Sequence, residues 1–378
     1  MSNNKDFVVK NAIQIGADTK VTLGTITSSN IDLSTGNYFS DTLTANTTYT
    51  FSNAGDVQSF QVEVTGGVAP YDISGAVYDS KSFSVSSQGP RPEDLFFKSD
   101  GTTMYTIDAI NDAIYQYTLS TAWDVSTASY ASKSLDVSSQ LTAPTALFVG
   151  DSGASLYAVG FDTDTVYQYT LGTAYDVSTG SYASKSFSVA SQEAAPTGIF
   201  FKPDGTKMYV VGFLSDTVYQ YTLSTAWDVS TASYDSISFS VTSQATDPQS
   251  LHFSVDGLRM FIADTTTNNV FSYTLSTAWD VSTASYDSIS YTISEVGTDF
   301  YGLAFSDNGD KFYTTGETND TVYQYSTTAS TITWPTSIEW AGGSAPAAPA
   351  NGETDLFTIS TDDGGTTYHG FKTADNLS

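Results

Sequence analysis

The chain contains no cysteine. That excludes disulfides and thiolate metal sites, and it leaves the redox compartment unmarked. Positive charge is also scarce: 13 Lys and Arg stand against 41 Asp and Glu, a formal net charge of −28. Nucleic acid and anionic membranes are held by Lys/Arg patches, so neither is an expected partner. The acids are scattered, as on a solvated and self-repelling surface. No run of about 18 apolar residues occurs, so no membrane insertion is expected. The opening Met1-Ser2-Asn3-Asn4-Lys5-Asp6 leads into no apolar stretch, which reads as the lack of a signal peptide. There are only 2 histidines, no Gly-x-Ser-x-Gly elbow and no His-Glu-x-x-His. No calcium-loop spacing is present either. The expectation is a protein that is not an enzyme and takes no cofactor or metal.

What the chain has is a period. Ile114-Tyr115-Gln116-Tyr117 recurs as Val166-Tyr167-Gln168-Tyr169, Val218-Tyr219-Gln220-Tyr221, Val270-Phe271-Ser272-Tyr273 and Val322-Tyr323-Gln324-Tyr325. The starts, 114, 166, 218, 270 and 322, are 52 apart without exception. A fixed period of this length marks a solenoid or a propeller. Each unit holds four strand candidates, in the third copy around Phe187, Phe200, Tyr209 and Tyr219. Between the second and third lies Asp204-Gly205, a strong hairpin signal because glycine takes positive φ without steric cost. Four antiparallel strands per unit and five units describe propeller blades, which bury their faces only by packing side by side. The first connector, Tyr71-Asp72-Ile73-Ser74, stands 52 residues before Trp123-Asp124-Val125-Ser126, and no connector follows Tyr325. The strand around Phe83 is therefore expected to complete the blade begun by residues 303–325, closing a five-bladed ring over residues 68–329.

The flanks are Thr/Ser/Asn-rich with short strand-like runs such as Phe60-Gln61-Val62-Glu63-Val64 and Asp355-Leu356-Phe357-Thr358-Ile359. Two flanking stretches resemble a β-module of tailed-phage virion proteins found in appendages and tail-fibre-like proteins. One runs from Gly36-Asn37-Tyr38-Phe39 through Asn46-Thr47-Thr48-Tyr49-Thr50-Phe51-Ser52-Asn53. The other carries Ile332-Thr333-Trp334-Pro335, Glu339-Trp340-Ala341-Gly342-Gly343, Ala345-Pro346 and Thr361-Asp362-Asp363-Gly364-Gly365-Thr366-Thr367-Tyr368. In that family the two stretches follow closely; here the repeat array separates them. The resemblance implies a propeller inserted into a small β-sandwich-like module, 22–67 with 330–378, behind an N-terminal attachment segment, 1–21. It implies a virion location, other virion proteins as partners, and a propeller that meets a host-surface glycan or receptor. Homo-oligomerisation is compatible with it. The repeat Phe201-Lys202-Pro203-Asp204-Gly205-Thr206-Lys207-Met208-Tyr209 also resembles Tyr-Val-Thr-Asn propeller repeats, some of which are seven-bladed lactonases. No matching acid/base set occurs in this chain, so the enzymatic part of that likeness is not expected here.

The copies differ mainly in the loops that enter each blade, and loops on a rigid scaffold carry function. These loops supply the candidate ligand residues Arg91, Asp94, Asp247, Phe300 and Tyr301. Arg91 sits between two prolines, and Phe300-Tyr301 replaces the proline of the other copies, so both aromatics are expected at the surface. Aromatic plus Arg is the composition of binding hot spots. Asp112, Asp164, Asp216, Asn268 and Asp320 read as turn residues. Trp123, Tyr175, Trp227 and Trp279 read as plugs against the blade below, with sugar stacking as the alternative. His252, where other copies have Phe96, Phe148 and Phe200, reads as a packed strand histidine.

Overall fold

The computed structural model describes residues 21–67, 69–295, 299–316, 318–349 and 352–377. The expected attachment segment therefore lies outside the described residues, apart from Val21. The chain divides into two compact units, Met1–Pro70 with Thr328–Ser378, and Tyr71–Thr327. Among the described residues there is no α-helix, and hence no helix long and apolar enough to cross a membrane.

The first unit draws on both ends of the chain. Its five-stranded sheet has the order Ile338–Trp340, Tyr368–Ala374, Thr354–Thr361, Gln58–Thr65, Tyr38–Thr42. The central pair, Gln58–Thr65 against Thr354–Thr361, is antiparallel over eight residue pairs, so the two halves share one ladder. Apolar residues from both halves, among them Phe39, Phe60, Val62, Trp334, Phe357 and Ile359, form one buried core.

The second unit is propeller-like and consists of five four-stranded sheets. The first contains Pro92–Phe97, Thr103–Asp108, Ala113–Leu119 and Ala128–Asp136. The second contains Pro144–Gly150, Ser155–Gly160, Thr165–Leu171 and Gly180–Ser188. The third contains Pro196–Phe201, Lys207–Gly212, Thr217–Leu223 and Ala232–Ser240. The fourth contains Pro248–Phe253, Arg259–Asp264, Asn269–Leu275 and Ala284–Thr292. The fifth joins Phe300–Phe305, Lys311–Gly316 and Thr321–Ser326 to Val77–Ser84 from far upstream, with Thr321 opposite Ser84 and Val322 opposite Phe83. The first strand of each sheet lies beside that of the next, and that of the fifth lies beside that of the first.

The repeated Tyr-Gln-Tyr stretch works between sheets as well as within them. Its second tyrosine, at 117, 169, 221, 273 and 325, is buried at 0–1% exposure in the core. Its glutamine is buried too, and the side-chain oxygen accepts a hydrogen bond from a backbone N–H of the following sheet. Val177 donates to Gln116, Val229 to Gln168 and Val281 to Gln220, at 3.1–3.2 Å. Val125 of the first sheet donates to Gln324 of the fifth at 3.0 Å. A second set of links comes from the second strands. Tyr105, Tyr157 and Tyr209 donate their hydroxyls to the carbonyls of Tyr175, Trp227 and Trp279 at 2.7 Å, and Tyr313 to that of Trp123 at 2.8 Å. A buried N–H left without a partner costs about 1–3 kcal/mol, so each link both satisfies a group and fixes neighbouring sheets. The fourth copy departs from both patterns. It has Ser272, which donates to Asp287, and Phe261, which has no hydroxyl; there Arg259 reaches the Tyr71 carbonyl at 3.2 Å.

The Asp-Gly turns are fixed by the same connectors. Gly205 has φ +71°, and a Cβ built there would overlap the indole of Trp227. The residues at the other turns, Asp112, Asp164, Asp216, Asn268 and Asp320, take φ of 46–53°, and the Asp112 side chain also accepts from the Ala143 N–H at 2.9 Å. Their carbonyls accept from Val137, Val189, Val241, Ile293 and Val85 at 2.7–2.9 Å.

Candidate functional site

The first strands of the five sheets enclose a cavity of about 320 Å³. Alternation along a strand turns every second residue to the same side. The repeat therefore stacks equivalent positions into tiers around this cavity. The collar tier is Phe96, Phe148, Phe200, His252 and Ala304, all of which line it. The rings meet edge to face, Phe96 to Phe148 at 5.1 Å, Phe148 to Phe200 at 5.3 Å and Phe200 to His252 at 5.0 Å between centroids. Ala304 leaves one side of the collar open. The next tier is Asp94, Ala146, Gly198, Ser250 and Gly302. Small residues are required there because the first strands approach closely: a Cβ on Gly302 would stand 2.8 Å from the Asp94 Cα. Asp94 is thus the one large polar side chain at that level. The cavity opens between Tyr71, Tyr175, Trp227 and Trp279 of the connectors and the hairpin residues Asp151, Pro203, Val255 and Asp307.

The electrostatics of this wall are unusual. Asp94 is 5% exposed. Its Oδ2 accepts from the Leu147 N–H at 3.1 Å, while its Oδ1 is buried with no hydrogen-bond partner. Burial pushes its carboxyl up to about 8, against the opposing pull of the Leu147 and Leu95 N–H groups and the Ser250 hydroxyl. Burial pushes the His252 imidazole down to about 3, so it is uncharged at neutral pH. At the mouth, Asp307 is raised by burial and by the like charge of Asp100. The Lys98 ammonium pairs with Asp100 at 2.5 Å and stands 5.2 Å from the Tyr175 ring centroid. Asp151 and Asp307 take part in no ion pair among the described residues. No cluster of His, Asp and Glu there could hold a metal ion among those residues.

The residues singled out in the entry loops divide into two groups. Arg91 and Tyr301 come together, with the guanidinium 6.0 Å from the ring centroid, and Arg91 also pairs with Glu93 at 2.6 Å. Asp247 is half-buried and accepts from Gln249 at 2.6 Å. Phe300 is not at the surface and Asp94 is not in the entry loop, which corrects the expectation for each. Phe300 is fully buried, opens the first strand of its sheet opposite Gly316, and packs with Phe261, Ala263, Val270 and Ile293. Asp94 lies inside the strand Pro92–Phe97 and faces the cavity, not the loop. Sequence reading did not place the collar or the cavity mouth. The signal available was the 52-residue column Phe96, Phe148, Phe200, His252, Ala304, in which aromatic character is lost stepwise.

No protein family and no curated relative matches the sequence. Solved structures that resemble it include a candidate 6-phosphogluconolactonase from Bacteroides uniformis, at 16% identity and a TM-score of 0.39, with 60% of this chain and 64% of that one covered. A Lactobacillus plantarum protein shares 15% identity at a TM-score of 0.38, with 75% and 70% covered. A functionally unknown protein from Desulfotomaculum acetoxidans shares 10% at 0.38, with 76% and 86% covered. Overlaps this partial carry no inference about activity.

Proposed function

We propose that Tyr71–Thr327 is a closed five-bladed β-propeller that serves as a binding module, not as an enzyme. The chain as a whole acts as a virion appendage protein, and the propeller engages a host-surface glycan or receptor. The adjacency of the fifth and first sheets, tied by Gln324 to Val125 and by Tyr313 to Trp123, supports closure. The observation that carries the binding reading is the axial cavity. Aromatic walls with very few fixed polar groups are the composition of a ligand pocket. Beyond its mouth, Asp94 and His252 are the titratable groups on the wall. The virion role draws on the resemblance of the two flanking stretches, which would join other virion proteins. Several copies on one particle would give the avidity that a single weak site lacks. Arg91, Tyr301 and Asp247 form a second candidate contact, on the entry-loop face.

The test compares two variants with the parent for adsorption to bacterial cells and to a panel of purified cell-envelope polysaccharides. Ala304→Phe fills the gap in the collar; Arg91→Ala with Tyr301→Ala removes the pair on the entry loops. The expected result is loss of adsorption in Ala304→Phe alone. Loss only in the double variant would move the site to the entry loops. Undiminished adsorption in both would leave the propeller as a structural knob, and release of cleaved polysaccharide would make it an enzyme.

A further inference from the structure

We propose that the ligand of the axial cavity presents an organic cation, a methylated ammonium group, seated inside the collar of Phe96, Phe148 and Phe200 with Asp94 as its counter-ion. This rests on the reading of the cavity as a binding site and specifies what it takes.

Four observations converge. The first is Asp94 itself. A buried carboxyl oxygen without a partner is costly, and a cation placed beside it supplies the partner that the ionised carboxylate lacks. Asp94 Oδ1 is such an atom and its side chain lines the cavity. The second is the wall. Quaternary and methylated ammonium groups are recognised by cages of aromatic rings, whose faces carry partial negative charge. The collar offers three phenylalanines, and Tyr71, Tyr175, Trp227 and Trp279 surround the entrance. One ammonium already sits against this entrance, that of Lys98 near Tyr175. The third is the field. Asp151 and Asp307 stand at the mouth and the chain carries −28 overall, so cations are drawn in and anions repelled. The fourth is the scarcity of other polar groups. A neutral sugar needs several convergent hydrogen-bonding groups. The collar and the tier beyond it offer only Asp94, Ser250 and the uncharged imidazole of His252.

The charges around Asp94 do not weaken the argument. Glu93 on its own strand is paired with Arg91. The adjoining strands bring Leu147, Gly302 and Ser250, none of which is charged, and His252 stays neutral. With the cavity empty, Asp94 holds its proton at neutral pH, and an entering cation expels it.

Calorimetry of the full chain at pH 7 tests this with choline and its neutral carbon isostere, 3,3-dimethylbutan-1-ol. Each is titrated in two buffers of different ionisation heat. Choline should bind at least tenfold more tightly than the isostere and release close to one proton. Asp94→Asn should lose at least tenfold in choline affinity together with the proton release. Ala304→Phe should bind neither. Equal affinity for the two compounds, or no choline binding, overturns the cation assignment. If choline fails while cell or polysaccharide adsorption still depends on Ala304, the cation assignment falls and the binding module stands. If that dependence is also missing, both fall.

Discussion

Removing Val77–Ser84 from the full chain should abolish the cooperative unfolding of the Tyr71–Thr327 unit. This strand is the fourth of the fifth sheet, although it comes first in the sequence of that unit. It covers the Thr321–Ser326 strand, pairing Val322 with Phe83 and Tyr325 with Tyr78. Phe83 also meets Tyr117 of the first sheet at 5.6 Å between centroids. The deletion leaves an unpaired edge on the fifth sheet. It also strips two half-buried aromatic side chains, Tyr78 and Phe83, each contributing less than the roughly 1.5–3 kcal/mol of a fully buried one. Together with the lost ladder, that is a substantial part of the roughly 5–15 kcal/mol by which an ordinary domain is stable. The effect is not confined to one sheet, because an array of repeats owes its stability to the interfaces between neighbours. Lys81 reaches Asp124 of the first sheet at 2.7 Å, so the same strand also contributes to that interface. Near-ultraviolet circular dichroism followed on heating should lose its single sharp transition. A variant that melts within a few degrees of the parent would show that the fifth sheet stands without its upstream strand.

Asp94→Asn should stabilise the protein, and increasingly so as pH rises. An acid with a raised folded-state pKa holds its proton in the folded chain at pH values where the unfolded chain has released it. Stability is then full below the unfolded value near 3.8 and falls until the folded value, about 8, is passed. At about 1.4 kcal/mol per pH unit, the loss between pH 4 and pH 7 is on the order of 4 kcal/mol. Other carboxyls oppose this trend in the acid range. Asp100 and Asp204, paired with Lys98 and Lys202, are held down at about 2 and add stability as pH climbs through that value. The difference between parent and Asp94→Asn cancels these terms. Urea unfolding at pH 4, 6 and 8 should show a gap between the two proteins that widens with pH. Parallel curves would mean that Asp94 reaches solvent or a partner.

The repeat made much of this architecture legible. A 52-residue step with Asp-Gly turns left little choice but short antiparallel strands, and the missing connector after Tyr325 pointed upstream to Phe83. The glutamine of the motif was visible as a recurring letter but not as a link. Its partner is a backbone N–H some sixty residues away, and backbone groups leave no trace in sequence. The candidate site fared differently. Arg91 and Tyr301 were chosen as variable loop residues, and they do meet. Asp94 and Phe300 were chosen on the same ground and are buried. The strand begins earlier than the loop composition suggested, because proline at 92, 144, 196 and 248 opens a strand as readily as it ends a loop. The cavity was illegible for a related reason. Which side of a strand faces an axis depends on the phase of its alternation, and the register shift between Pro92 and Asp94 changes that phase.

Closure of the ring is the claim on which the cavity, its collar and its counter-ion depend. The absence of native cysteine makes a direct measurement simple. Thr321 and Ser84 are opposed across the closing ladder. Opposed residues of an antiparallel pair stand about 4.5–5.5 Å apart at Cα, within the span of a disulfide. The full chain carrying Thr321→Cys and Ser84→Cys should oxidise in air to an internally crosslinked monomer, seen as a faster band on a non-reducing denaturing gel and reversed by reductant. Either substitution alone should give no such band. A double variant that stays reduced, or that joins only to other chains, would contradict a closed five-bladed ring.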